Sequence, residues 1–187
     1  MPRNERNERN ERNENMKQIQ CGRSHRLQIL EILNEAIQNS TALWDYQPRT
    51  PAMMDSWFSA KEAGKFPVIG LIDDSDHLLA FGTYGSFRAW PAYKYSVEHS
   101  VYVERSQRGR GFGTAVLEAV IQEATQQGYH NLIGGIETSN EVSVALHRKC
   151  GFELCGTIRH AGFKFGNWMD LSFYQLLLAG PATPSDG

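Results

Sequence analysis

Residues 97–114 place a strand, a glycine-rich turn and the start of a helix directly one after another, so the rest of the fold has to be built around that unit. In residues 97–104, V-E-H-S-V-Y-V-E, apolar residues alternate with polar ones, the pattern of a half-buried strand. The turn carries glycine at every second position, at Gly109, Gly111 and Gly113. Apolar residues then recur at helical spacing, so a helix begins at the turn.

This turn has the chemistry of an anion site. Glycine has no Cβ, so consecutive backbone N–H groups can approach one acceptor. Free N–H groups and the dipole at a helix N-terminus, with Arg105, Arg108 and Arg110 nearby, favour a phosphate or pyrophosphate. The turn alone does not decide this, because tight strand-to-helix connections also use glycine for steric reasons. Thr114 replaces the third glycine of a dinucleotide-binding turn, and the Gly-Lys-Ser/Thr ending of a P-loop is absent.

Size and charge indicate one domain that acts on small molecules. With 187 residues, 41% of them hydrophobic, the chain can bury one sizeable core. The formal net charge of −2 gives no long-range attraction to nucleic acid or anionic membranes. No apolar run is long enough to span a bilayer, and no charged-then-apolar leader precedes the domain, so we expect a cytoplasmic protein.

Neither the cysteines nor the acidic turn predicts a metal site. Cys21, Cys150 and Cys155 are an odd number without metal-ligand spacing, so we expect free, mostly buried thiols in a reducing compartment. Residues 73–76, D-D-S-D, lack the remaining ligands of a calcium loop and are predicted to form a hairpin turn.

The chain divides into three parts. Residues 1–15 repeat Arg-Asn-Glu with almost no apolar residue, so we expect them to be disordered, and Met16 is a possible functional start. Residues 16–179 form the predicted domain, and residues 180–187, rich in proline and glycine, a flexible tail.

Periodicity predicts an α/β fold with a mixed sheet. The expected elements, in order, are a strand at 18–20, helices at 24–38 and from 50 through 58, strands at 66–72, 78–87 and 97–104, the helix after the glycine turn, a strand at 131–137, a helix at 140–150, and strands at 152–159 and 170–177. Leu27, Leu30, Leu33 and Ile37 form the expected core face of the first helix.

The segment R-G-R-G-F-G at residues 108–113 resembles the acetyl-CoA pyrophosphate loop of GNAT superfamily N-acetyltransferases, whose pattern is Arg/Gln-x-x-Gly-x-Gly/Ala. The chain is most similar to the phosphinothricin acetyltransferase branch, which includes enzymes that acetylate methionine sulfoximine and methionine sulfone. The segments that carry this are S-T-A at 40–42, V-E-H-S-V-Y-V at 97–103, N-E-V-S-V-A-L-H-R-K-C-G-F at 140–152 and G-F-K-F-G-N-W-M-D at 162–170. The resemblance covers roughly residues 16–178 and implies the GNAT fold, a mixed, mostly antiparallel sheet flanked by helices.

The resemblance also implies which residues bind acetyl-CoA. The central strand would hold the thioester and pantetheine through its backbone, the glycine turn would hold the pyrophosphate, and an asparagine would contact the cofactor near the thioester. The cofactor-binding residues implied are Val101, Tyr102, Val103, Arg108, Gly109, Arg110, Gly111, Phe112, Gly113, Thr114 and Asn140. Asn140 is equally suited to capping the helix that follows it.

An ammonium group must lose a proton before it attacks a thioester, so the reaction needs a base. Glu98 occupies the branch's acidic position and is the candidate, the alternative being a solvated carboxylate, as we expect for Glu104. His147 falls where many members have a tyrosine that protonates the leaving thiolate; the alternative is a packing or hydrogen-bonding role. Since His99 follows Glu98, it lies on the opposite strand face and is a substrate contact only if a bulge turns it.

The implied acceptor is a small amino acid or analogue, whose carboxylate requires a cation. Arg88 is the candidate carboxylate-binding residue, and Trp90 with Phe87 the candidate apolar wall. Lys164 and Trp168 could complete the pocket or form a dimer interface.

We therefore expect an acetyl-CoA-dependent N-acetyltransferase that acts on the α-amine of such an acceptor by direct ternary-complex transfer, without a metal. A homodimer is expected because dimers are common in the branch. The alternatives are acetylation of protein amines or polyamines, and a non-catalytic sensor that only binds acetyl-CoA.

Overall fold

A computed structural model describes residues 16–186 of the chain. The Arg-Asn-Glu repeat at residues 1–15, which we predict to be disordered, lies outside the described residues. Seven strands form one sheet in the order β1-β2-β3-β4-β5-β7-β6. Among the described strands, only β4 and β5 are parallel neighbours, so the prediction of a mixed α/β sheet is confirmed.

The elements follow the predicted order. The strands are β1 (Lys17–Gln20), β2 (Val68–Ile72), β3 (Leu78–Ser86), β4 (Ser96–Val103), β5 (Asn131–Glu137), β6 (Glu153–Lys164) and β7 (Asn167–Leu177). The helices are α1 (Arg26–Asn39), α2 (Pro51–Ala63), α3 (Phe112–Gln126) and α4 (Glu141–Lys149).

Helices cover both faces of the sheet, and each face has its own core. On one face, α1 and α2 pack apolar side chains such as Ile29, Leu33 and Phe58 against β2 and β3. On the other, α3 packs Leu117 and Val120 against β3, β4 and β5. Burying an apolar stripe of each helix stabilises the fold by roughly 25 cal/mol per Å² of apolar surface removed from water.

One predicted core position on α1 is wrong. Leu27 is 51% exposed, whereas Leu30, Leu33 and Ile37 are buried as predicted. The cause is its position around the helix: at 100° per residue Leu27 lies about 120° from Leu33, outside the stripe that buries Ile29, Leu33 and Ile37.

The last two strands are longer than predicted. Residues 160–169, expected as a connection, belong mostly to β6 and β7, which form one extended hairpin. Its turn is Phe165–Gly166, with φ of 52° and 77°, the combination of a type I′ turn, which matches the twist of paired strands. A bulge at His160, where φ is 52°, shifts the register before the hairpin continues.

The C-terminal segment contacts the domain through Ser185. Residues 180–186 form no helix or strand, but the N–H of Ser185 donates to Oη of Tyr95 at 3.1 Å. No helix within residues 16–186 has both the length and the apolar character needed to cross a membrane.

Candidate active site

β4 and β5 diverge and leave a cleft between them. They pair only from Ser96↔Asn131 to Glu98↔Ile133, although both strands continue well beyond that point. The cleft measures about 490 Å³, counting the space at its open mouth. It joins the two faces of the sheet, so a ligand in it can reach groups on both.

The backbone of β4 presents alternate residues to this cleft. The N–H of Glu104 donates to the carbonyl of Leu79, and that of Phe87 to Ser96, which fixes the hydrogen-bonded pairs between β3 and β4. Because such pairs alternate in an antiparallel ladder, the backbone groups of His99, Val101 and Val103 face the cleft. Those of Tyr102 face β3, so the backbone contact predicted for Tyr102 is not available here, and its side chain packs against the core beneath α1 and α2.

The turn before α3 leaves a row of amides free. Gly109 and Gly111 have φ of 76° and 93°, a region that side chains with a Cβ rarely adopt. Among residues 16–186 no hydrogen-bond acceptor is found for the N–H groups of residues 109–113, and the first amide engaged is that of Thr114, which donates to Gly111. The loop is therefore a concave set of donors at a helix N-terminus.

The side chains around this loop already have protein partners. Arg108 pairs with Glu35 of α1 and donates to the carbonyl of Val103, while Arg110 contacts Gln107 and lies over the ring of Phe112. Phe112 is buried in the core. An anion here would consequently be held mainly by backbone N–H groups, with the arginines contributing charge from nearby.

Glu98 lies on the face of β4 covered by α1 and α2, next to Gly135 of the cleft wall, and Arg88 is close enough for its charge to act on the carboxylate. Burial raises the pKa of Glu98 above the ordinary value of a glutamate, and the positive charge of Arg88 acts in the opposite sense. Gly135 of β5 makes room for this carboxylate, since a Cβ there would lie 3.1 Å from Glu98 Oε1. Arg88 stacks on Phe87 at 4.1 Å, and Trp90, 68% exposed, lines a neighbouring pocket with Arg88.

His99 and His147 form a buried pair on the opposite face. Their Nε2 atoms are 2.9 Å apart, and each Nδ1 is close to a backbone carbonyl: that of Ile133 for His99, at 2.8 Å, and that of Ser143 for His147, at 2.7 Å. Gly134 makes room for both rings, since a Cβ there would lie 2.9 Å from His99. β4 has no bulge at this position, so the side chains of His99 and Glu98 lie on opposite faces of the strand. The bulge on which a substrate contact of His99 depends is therefore not present.

Asn140 caps α4 and also lines the cleft. Its Oδ1 accepts from the N–H of Ser143 at 3.2 Å, so the capping role is present. Its amide nitrogen has no hydrogen-bond partner among the described residues and remains available for a ligand. The two roles anticipated for this residue are compatible.

Thr41, Trp44 and Glu137 are among the residues that line the cleft without a role assigned from sequence. Oε2 of the buried Glu137 accepts from Thr41 Oγ1 at 3.2 Å and from both the N–H and the hydroxyl of Ser139. This contact holds the loop after α1 against the end of β5. The S-T-A segment at residues 40–42 was the available signal for Thr41, but nothing in the sequence indicates its partner, which is 96 residues away.

Lys164 also holds the loop after α1 in place. It is buried, and its Nζ donates to the carbonyls of Ile37 and Leu43 at 2.6 Å and of Ser40 at 3.1 Å. It therefore caps the end of α1 and is not a pocket or interface residue. Trp168, by contrast, is 62% exposed on β7.

Comparison with known proteins identifies the family. Residues 28–152 match the model of the acetyltransferase (GNAT) family. The chain belongs to the GNAT acetyltransferase family. An L-methionine sulfoximine/L-methionine sulfone acetyltransferase from Pseudomonas paraeruginosa is 41% identical over 150 residues, which are 80% of this chain and 87% of the relative.

Solved GNAT acetyltransferases share the fold. An N-acetyltransferase from Staphylococcus aureus Mu50 superposes with a TM-score of 0.85 at 40% identity, covering 87% of this chain and 98% of the other. A phosphinothricin acetyltransferase from Sinorhizobium meliloti, solved with acetyl-CoA, superposes with a TM-score of 0.86 at 31% identity, covering 91% and 92%. The predicted family and fold are confirmed, and acetyl-CoA is the acetyl donor.

Acetyl-CoA fits the arrangement of this GNAT domain. The free amides of residues 109–113 suit its pyrophosphate, and the cleft-facing backbone of Val101, with the N–H of Val103, suits a pantetheine arm that pairs as an additional strand. When bound, acetyl-CoA supplies the thioester carbonyl that the acceptor amine attacks. The roles of individual residues in holding it stay predictions.

Two glycine substitutions in the loop test its role. We expect Gly111→Ala to weaken acetyl-CoA binding about 5- to 30-fold, because a Cβ at φ of 93° costs roughly 1–2 kcal/mol and disturbs the amides. Gly113→Ala is the matched control, since its Cβ would make only ordinary contacts, 3.4 Å or longer. Isothermal titration with acetyl-CoA measures both, and equal affinities would remove the loop from the binding site.

Proposed function

We propose that this GNAT enzyme transfers the acetyl group of acetyl-CoA to the α-amine of a small amino acid or analogue, of the methionine sulfone, methionine sulfoximine or phosphinothricin type. The observation that carries the proposal is the partly buried carboxylate of Glu98 beside Gly135 of the cleft, close enough to Arg88 for the guanidinium charge to act on it. An amino acid presents an ammonium and a carboxylate close together. A base beside a guanidinium is complementary to both.

The reaction follows from these positions. Glu98 removes a proton from the acceptor's ammonium, and the amine nitrogen attacks the thioester carbon. The carbonyl oxygen gains negative charge beside the backbone N–H groups of β4 that face the cleft, which stabilise it. The carbon–sulfur bond then breaks and the nitrogen releases its second proton to water in the open cleft, giving the neutral amide and the CoA thiolate.

Direct transfer is favoured because no cysteine lines the cleft. Cys21 is buried beneath α1 and α2, where burial raises its pKa to about 12, and Cys155 is exposed on β6. Burial also raises the pKa of Cys150, which lies at the end of α4. A thiol with a raised pKa is a poor nucleophile, so Cys21 and Cys150 are poorly suited to carry the acetyl group, and Cys155 lies outside the cleft.

We further propose a homodimer, which uses the hairpin of β6 and β7 as its interface. β6 is an edge strand, and the hairpin exposes Phe163, Phe165 and Trp168 by 45%, 55% and 62%. The cytoplasm is the proposed compartment, consistent with three free cysteines. Light scattering measures the oligomeric state, and a monomer at micromolar concentration would reject the interface.

Arg88→Gln tests the carboxylate contact. We expect kcat/KM for methionine sulfone to fall about 10- to 100-fold, because a charged hydrogen bond to the carboxylate is worth about 1.5–3 kcal/mol. For the carboxamide of methionine sulfone, an acceptor that lacks the carboxylate, kcat/KM should fall much less in the same variant. Lys94→Gln, in the same loop, is the control for charge alone; equal losses for the two variants, or for the two acceptors, would contradict the assignment.

A further inference from the structure

The buried pair of His99 and His147 has more hydrogen-bonding contacts than a neutral pair has protons. Three short contacts decide the proton count: Nδ1 of His99 with the Ile133 carbonyl, Nδ1 of His147 with the Ser143 carbonyl, and Nε2 with Nε2. A carbonyl only accepts, so both Nδ1 atoms must carry hydrogen. With two neutral rings, both Nε2 atoms would then be bare lone pairs facing each other at 2.9 Å.

One additional proton resolves this conflict. Placed between the two Nε2 atoms, it satisfies the third contact and leaves no ring nitrogen without a partner. A second additional proton has no place to go. Burial lowers the pKa of His147 and, with the charge of His147, that of His99 to about 3, so burial opposes positive charge on the pair and a second cation most strongly. The unpaired Nε2 atoms act in the opposite sense, because only a shared proton gives them a hydrogen bond.

Ser143 connects the pair to the cleft. Its hydroxyl lies 3.4 Å from Nδ1 of His147, and Ser143 and His147 both line the cleft. His147 itself has no free nitrogen to offer a leaving group, because one contacts His99 and the other the Ser143 carbonyl. A proton can therefore reach the cleft from the pair through the Ser143 hydroxyl.

We propose that His99 and His147 share one proton beyond the two of a neutral pair, and that it is relayed through Ser143 to the CoA thiolate. The thiolate takes the hydrogen of Ser143 Oγ, which takes that of His147 Nδ1, while His147 Nε2 takes the shared proton from His99. The thiolate becomes a neutral thiol and the pair loses its positive charge; a proton from water restores it. The relay rests on the proposed function, but the proton count does not.

Apolar packing surrounds the two rings, and the nearby charges lie outside it. Phe152 packs against both rings, with centroids 5.2 and 5.1 Å away. On β3 the residue beside His99 is Tyr84, and Glu98 lies on the opposite face. At the end of α4 the ionisable neighbours are the exposed Arg148 and Lys149, followed by Cys150. Among residues 16–186 neither imidazole forms an ion pair with a carboxylate.

Nitrogen NMR of ¹⁵N-histidine-labelled protein counts the protons directly. His99→Asn and His147→Asn variants assign the signals among the six histidines. Near neutral pH we expect three protonated nitrogens in the pair, with one strongly downfield, exchange-protected proton between the rings. Two protonated nitrogens would overturn the inference whatever acceptor the enzyme uses.

Single-turnover acetyl transfer to methionine sulfone tests the relay. We expect Ser143→Ala and His99→Asn each to slow the transfer about 10- to 100-fold and to remove the loss of rate at alkaline pH, where the pair gives up its extra proton. Their double variant should be no slower than the slower single one, because both changes interrupt one relay. Ser59→Ala, on the exposed side of α2, is the control.

The outcomes separate the relay from the proposed function. A Ser143→Ala rate within twofold of wild type, or losses that multiply in the double variant, would overturn the relay. Wild-type protein that transfers acetyl to no amino acid would reject the proposed function, and with it the relay, while the NMR count would still decide the state of the pair.

Discussion

Replacing Glu98 by glutamine is expected to lower kcat by about 10²- to 10⁴-fold, the usual contribution of a general base. The amide keeps the size of the side chain beside Gly135 but cannot accept a proton. Acetyl-CoA affinity should stay within about twofold, since Glu98 lies on the face away from the pyrophosphate loop. Thiol release at saturating methionine sulfone measures the change.

The pH dependence of this variant adds a second test. Glu98 acts as a base only when deprotonated, and burial raises its pKa, so wild-type kcat should fall with decreasing pH already above the ordinary pKa of a glutamate. Arg88→Gln removes the opposing charge and should move this fall to still higher pH. In Glu98→Gln, kcat should show no such fall with decreasing pH. Glu118→Gln, on the exposed face of α3, is the matched control; unchanged kcat and an unchanged pH profile in Glu98→Gln would reject the base assignment.

Of the substitutions considered, Lys164→Met is expected to lower the free energy of unfolding most. It leaves the carbonyls of Ile37, Ser40 and Leu43 without their shared donor. Each charged hydrogen bond is worth about 1.5–3 kcal/mol. Burial lowers the pKa of Lys164, so removing the charge recovers part of its desolvation cost, and we expect a net loss of roughly 3–5 kcal/mol.

Thermal unfolding measures this loss. For a domain of this size it corresponds to a fall in Tm of about 10 °C. The KM for the amino-acid acceptor should rise as well, because the loop that Lys164 holds lines the cleft. Lys149→Met, an exposed lysine at the end of α4, is the control and should change Tm by less than 2 °C. A fall of similar size in both variants would reject the role of Lys164.

The parts of the fold that local sequence determines could be predicted. The alternation in β4, the glycine turn and the apolar stripe of α3 each depend on neighbouring residues, and the structure places all three as expected. Residues 160–169, expected to be only a connection between the last two strands, show the limit of this reasoning because they form a strand hairpin. A non-glycine residue, Phe165, adopts φ of 52° there, and pairing of the two long strands, not local preference, imposes that conformation.

The sequence indicates candidate site residues only where one residue carries the chemistry, and the roles of these residues stay predictions. Glu98 and Arg88 stand on adjoining segments of β4 and the loop before it, and their types indicate a base and a carboxylate contact. The pair of His99 and His147 joins positions 48 residues apart, and Lys164 reaches carbonyls more than 120 residues away. Such contacts depend on how the strands are ordered in the sheet, which periodicity does not give.

The central claim is tested most directly by CoA-thiol release from acetyl-CoA, with mass spectrometry of the product. The acceptors are methionine sulfone, methionine sulfoximine, phosphinothricin, ordinary amino acids, spermidine and a peptide. We expect stoichiometric thiol release and α-N-acetylation with the amino-acid analogues, and little with spermidine or peptide. Turnover only with peptide or polyamine, or acetyl-CoA binding without turnover on any acceptor, would contradict the proposed function.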